Sequence, residues 1–184
     1  DAVQRQTFRY FWDGADAASG LALDRRTLVG ATGDDLADDR VAIGGTGFGI
    51  MALIVAVERG WVTRDAALER LGRMRDALFR ARRYHGAFPH FMDAASGETI
   101  PMSPKDDAGD LVETSFLCMG LLCARQYFND DTAMARRLRA DFDMLWHEVE
   151  WDWFTQGGRD VLYWHWSPTH GWAMNHEVHG WNEC

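Results

Sequence analysis

Two stretches of this chain are too apolar to lie on any surface, and each is followed by a helix that is apolar along one stripe only. The run Phe48-Gly-Ile-Met-Ala-Leu-Ile-Val-Ala-Val57 is apolar on every side of a helix, so it demands burial against more than one neighbour. Gly60 ends that helix, Thr63 is a good N-cap, and residues 64–83 set Ala67, Leu68, Leu71, Met74 and Leu78 on one stripe with arginines opposite. The pattern then repeats. Residues 110–128 read as a long buried helix through Leu111, Val112, Phe116, Leu117, Met119, Leu121 and Leu122, and an amphipathic helix follows from about Thr132 to Glu148. A buried helix alternating with an outer helix predicts an all-α fold.

Between the pairs the pattern breaks. Residues 1–12 carry Val3, Phe8, Phe11 and Trp12 at near-helical spacing, and the Gly/Ala/Asp-rich residues 13–40 read as a long surface loop. Strings 85–93 and 98–101 flank Ala94-Ala95-Ser96-Gly97 and predict a small β-hairpin excursion projecting from a helix end. Gly44-Gly45-Thr46-Gly47-Phe48-Gly49 lacks the lysine and the preceding strand of a phosphate loop. Its glycines read instead as a close helix–helix approach or a tight turn.

The chain has 184 residues, enough for one domain (1–184) with a real core. Its 28 acidic against 19 basic side chains give a net charge of −9, which makes nucleic acid and anionic membranes poor partners, so neither is expected. The longest apolar run has roughly ten residues where a membrane span needs about twenty, so no membrane partner is expected for this segment. Cys118 and Cys123 read as small core residues of one helix rather than a disulfide.

Seven of the nine tryptophans fall in the last 39 residues, interleaved with histidines and carboxylates. An indole face stacks on the C–H face of a pyranose while neighbouring imidazole, amide or carboxylate groups take the hydroxyls, so this dress points to a sugar site; the plainer alternative is that these rings fill core. Asp106, Asp107, Asp110 and Glu113 crowd the start of a helix. Capping explains Asp106 and Asp107. Asp110 and Glu113, three apart on the first turns of an apolar helix, need partners or an open cavity, and a carboxylate there can serve as general acid. Glu183, beside Trp181 and Asn182, is a second acidic candidate at another apparent helix entry, with helix capping as its alternative. His165 and His170, or His176 and His179, fit helical zinc ligation poorly, so neither a metal nor another cofactor is expected.

Seven strings in order, 7–13, 19–21, 43–50, 85–91, 109–116, 163–168 and 180–184, resemble the bacterial glycoamylase-like family, which includes endo-β-1,2-glucanases and the cyclising domain of cyclic β-1,2-glucan synthases. The resemblance covers essentially the whole chain and implies a partial (α/α)6 toroid with inner helices beginning near Gly47, Asp110 and Asn182. It also implies Asp110, Glu113 and Glu183 as catalytic acids, a substrate wall including Trp164, His165, Trp166, Trp172, Trp181, Asn182, His90 and Phe91, and a periplasmic or secreted location. The implied reaction is hydrolysis of internal β-1,2-glucosidic bonds of a β-glucan or oligosaccharide by carboxylate-activated water. The alternatives are glucan transfer in a synthase, or a carbohydrate-binding fragment without turnover. A full toroid needs roughly twice this length. The chain therefore resembles the N-terminal half of the family's barrel, and self-association or a C-terminal half covering its apolar faces is expected.

Overall fold

The computed structural model describes residues 1–25 and 40–180. It contains five α-helices: α1 (Ala2–Trp12), α2 (Ile43–Glu58), α3 (Arg64–Arg80), α4 (Leu111–Tyr127) and α5 (Ala133–His147). Helices α2 and α4 form the inner pair and make the most extensive helix–helix contact. On its other sides α2 meets α1 and α3, while α5 packs on both α3 and α4. Thr63 and Thr132 cap α3 and α5 by accepting from the Ala66 and Ala135 N–H groups, as their positions before the two amphipathic stripes predict.

The inner helices touch backbone to backbone. A Cβ on Gly47 would lie 2.1 Å from the Phe116 carbonyl oxygen, and one on Gly120 would lie 2.4 Å from that of Gly47. Only glycine permits this approach, which is the close helix contact read from the Gly-rich string. The string itself lies within the helix, however. Helix α2 begins at Ile43, earlier than the expected start near Gly47, so Gly44, Gly45, Gly47 and Gly49 are helical residues.

Around this pair lies one large core that includes Ile50, Leu53, Leu71, Leu78, Leu117, Leu121, Phe142 and Leu145. A smaller cluster of Ala87, Leu111, Cys118, Val149 and Phe154 receives the edges of Trp146, Trp151, Trp166 and Trp172. Cys118 and Cys123 are free thiols, and burial pushes the Cys118 thiol up to about 12.

Small sheets join the helix ends. Strands β1 (Arg40–Ala42), β2 (Phe91–Asp93) and β3 (Thr99–Ile100) form an antiparallel sheet in the order β1-β2-β3, with Phe91 opposite both Ala42 and Ile100. The β2–β3 hairpin is the predicted excursion; β1 was not legible, being only three residues long. Strand β4 (Gly109–Asp110) pairs antiparallel with β5 (His165–Trp166). The reading of 13–40 as surface loop needs correction in its described part. Ala15, Leu21, Ala22 and Leu23 are buried, Leu23 bridges to Val41, and the Ala22 N–H donates to Thr46 Oγ1 at 3.1 Å. Alternating small and apolar residues here carried no helical or strand period, yet Leu21 and Leu23 join the main core together with Phe8 of α1.

Candidate active site

The two-stranded ladder explains how the site assembles. Pairing of Asp110 with His165, and of Gly109 with Trp166, brings the Trp-rich string onto the first residues of α4. The Leu111 N–H donates to the Trp164 carbonyl at 2.7 Å and extends that join by one residue.

Asp110 is its centre. Fully buried, it caps α4 by accepting the Glu113 N–H on Oδ1 at 2.9 Å. Its Oδ2 accepts from His90 Nδ1 at 2.9 Å and from Trp164 Nε1 at 3.1 Å. Three N–H donors converge on this one carboxylate and fix two ring side chains at once. Beneath it, the Thr114 hydroxyl donates to the Asp110 carbonyl at 2.7 Å and accepts the Phe88 N–H at 2.8 Å.

Glu113 reaches across to the other inner helix. Its Oε2 accepts the Gly44 N–H at 2.7 Å, a first-turn donor of α2 that has no side-chain cap. A negative group there is favoured by the helix dipole. A Cβ on residue 44 would come within 2.6 Å of that oxygen, so glycine is required for the contact. Thus Asp110 and Glu113 bind the N-termini of the two inner helices to each other and to the site.

Asp106, read from sequence as a helix cap, does not cap α4: Asp110 does. Instead Asp106 is buried, and its Oδ1 has no hydrogen-bond partner among the described residues, with His165 Nε2 3.6 Å away. Burial and then the neighbouring Asp110 charge raise its pKa to about 6. Burial pulls the His90 pKa down, but the bond to Asp110 and the charges of Glu113, Asp110 and Asp106 outweigh it and the net direction is up. The sequence signal for Asp106 was present in the acid string. Nothing local distinguished it from a cap, because its burial depends on the returning β5 strand.

The expected substrate wall divides. Trp164 is half-buried with its indole on Asp110, and His90 is partly exposed beside the same carboxylate. His165 differs from the expectation of a ligand-facing group: it is buried, and its Nε2 accepts the Ala108 N–H at 3.2 Å. Burial lowers its pKa. Phe91 is likewise buried in β2, with its ring edge-on to His90 at 4.4 Å and the Arg40 guanidinium 5.2 Å from its centroid. Trp166 and Trp172 lie apart from the acids, with Trp153: Trp166 meets Trp153 edge to face at 5.6 Å, and Trp172 tilts toward it at 6.2 Å. Trp181, Asn182 and Glu183 lie outside the described residues.

His90, Asp106 and Asp110 bring one donor atom each within 4.8 Å of the others. The set fits a metal poorly, since His90 Nδ1 and Asp110 Oδ2 already satisfy each other and Trp164 takes the same oxygen. Arranged this way, the cluster gathers carboxylates beside two rings whose N–H groups Asp110 already holds, an anionic setting suited to a neutral, hydroxyl-rich ligand on which positive charge develops.

These features define a helical protein with a carboxylate cluster at the N-termini of paired inner helices, joined to an aromatic return strand. No family profile matches the chain. Its similarity to individual proteins is nonetheless high. The chain is 47% identical to the endo-β-1,2-glucanase of Chitinophaga pinensis, solved with sophorotriose and glucose, with a TM-score of 0.94 over 100% of this chain and 43% of that one. Against the β-1,2-glucanase of Parabacteroides distasonis it is 45% identical, with a TM-score of 0.88 over 99% of this chain and 25% of the other. It is also 45% identical, over its whole length, to a curated exo-β-1,2-glucooligosaccharide sophorohydrolase (non-reducing end) of Parabacteroides distasonis, of which it spans 24%. The similarity thus runs along essentially the whole of this chain, which spans less than half the length of each of these relatives.

Proposed function

We propose that this chain carries an acid centre of a glycoside hydrolase that cleaves internal β-1,2-glucosidic bonds. The observation that carries the reading is whole-chain similarity to an endo-β-1,2-glucanase solved with sophorotriose and glucose, at 47% identity. Within it, Asp110 fixes the His90 and Trp164 rings through their N–H groups, so that the indole face and the rest of the imidazole are what a sugar meets, and Glu113 and Asp106 add negative charge that favours an oxocarbenium-like transition state. Glu183 is the proposed acidic partner across the cavity, with Trp181 and Asn182 beside it as sugar contacts. The helices form the beginning of an (α/α)6 toroid, with residues 1–184 as one unit. The proposed location is periplasmic or secreted. Among the described residues, no helix is long and apolar enough to cross a membrane.

The test is a comparison of turnover and binding. With linear β-1,2-glucan, Glu113→Gln and Glu183→Gln should each lower hydrolysis by about two orders of magnitude or more while oligosaccharide binding is largely kept. Unchanged turnover in both variants would remove these acids from the reaction. Binding with no turnover in the parent chain would replace hydrolysis by carbohydrate binding alone.

A further inference from the structure

Away from the acid cluster, the Trp-rich excursion forms a groove of about 570 Å³ that shares no lining residue with that cluster. Its apolar floor is Trp153 and Trp172; Glu150, Asp152, Thr155 and Gln156 make its polar rim. The volume lies within the roughly 300–1,000 Å³ of small-ligand clefts.

The platform is built rather than incidental. One face of Trp153 is covered by His85, stacked at 3.7 Å and 10°. His85 is held in turn by Glu150 Oε2, 2.8 Å from its Nδ1, and by the Trp166 ring edge-on at 4.6 Å. An indole fixed on one side yet 38% exposed is unusual for so large an apolar ring, and its ordering cost is already met before any ligand arrives.

The lining chemistry selects the occupant. Among the described residues two carboxylates and no arginine or lysine line the groove, which disfavours phosphates and other anions. The Glu150 and Asp152 carboxylates supply acceptors at the rim. A ligand that offers C–H faces to indoles and many O–H donors to acceptors is a sugar. We propose that this groove is a second carbohydrate-binding site, which takes a length of neutral glucan outside the acid centre. That the sugar is a β-1,2-glucan rests on the proposed function above; the site itself does not.

The test is a titration of the ¹⁵N-labelled chain with linear β-1,2-glucooligosaccharides, followed at the indole N–H signals. The Trp153 signal is assigned by its disappearance in Trp153→Phe, and Trp164 likewise in Trp164→Phe. The expected result is that both signals shift, with different midpoints, and that Trp153→Ala, followed at the indole N–H of Trp172 in the same groove, weakens the second event about tenfold. If Trp164 shifts and Trp153 does not, the second site is overturned while the proposed function stands. If Trp153 responds to β-1,3- or α-1,4-linked oligosaccharides and Trp164 to none, the groove stands and the β-1,2 reading fails. A Trp153 response to tetramethylammonium but to no oligosaccharide would overturn the sugar assignment in favour of a cationic ligand.

Discussion

Asp110 is the residue on which the local structure depends. Replacing it with alanine would leave the Glu113 N–H, His90 Nδ1 and Trp164 Nε1 facing a buried void. Asp110→Ala should therefore cost on the order of 3 kcal/mol or more in chemical denaturation, well beyond the loss of an exposed cap. Asp106 predicts the opposite sign. Its folded pKa, about 6, lies above its ordinary 3.8, so ionisation costs nothing below 3.8 and is fully unfavourable above 6. The raised His90 pKa works in the same direction, since its stabilisation is complete below 6.5 and is lost as pH rises through the folded value. Stability should fall as pH rises through these windows. Asp106→Asn should remove the part between 3.8 and 6, gaining on the order of 2 kcal/mol at pH 7 and almost nothing at pH 3, as read by thermal denaturation at both pH values.

At the scale of elements, the crossing of α2 and α4 sets the spacing of the two N-termini that Glu113 and Asp110 tie together. Gly47→Ala would push a methyl group into the Phe116 carbonyl, and Gly120→Ala one into that of Gly47. Either should destabilise the fold by about 3 kcal/mol and shift the Trp164 environment, whereas Gly72→Ala in α3, where nothing lies within 4 Å of an added Cβ, should be neutral or slightly stabilising. The helices and the Thr63 and Thr132 caps were legible because each rests on local periodicity and capping chemistry. The starts of α2 and the burial of residues 15–23 were not. Gly44 and Gly45 have poor helix propensity, and the Gly44 N–H at this helix start is met by a carboxylate sixty-nine positions away, which no window on the sequence reveals. The same holds for the site: the acid string and the Trp string were each visible, but which ring meets which acid follows from the β4–β5 register. That register sent His165 inward and left Trp172 with Trp153 rather than with Asp110.

For the whole molecule, the face of α2 and α4 turned away from the outer helices is apolar. Phe48, Val55 and Met119 are exposed there, and Met51, Ile54, Leu122 and Cys123 line a groove with Tyr127. The chain spans about two-fifths of the solved Chitinophaga relative. Such a face predicts concentration-dependent self-association of the purified chain, visible by sedimentation velocity and reduced by Leu122→Glu, which places a charge in the groove. A monomer at all concentrations would show that the face is tolerated in water. The central claim, a β-1,2-glucan hydrolase centre, is tested most directly by incubating the purified chain with linear β-1,2-glucan beside β-1,3- and α-1,4-glucan while recording its oligomeric state. Release of short saccharides from the β-1,2 polymer alone is the expected result; equal release from the other polymers, or none from any, would contradict it.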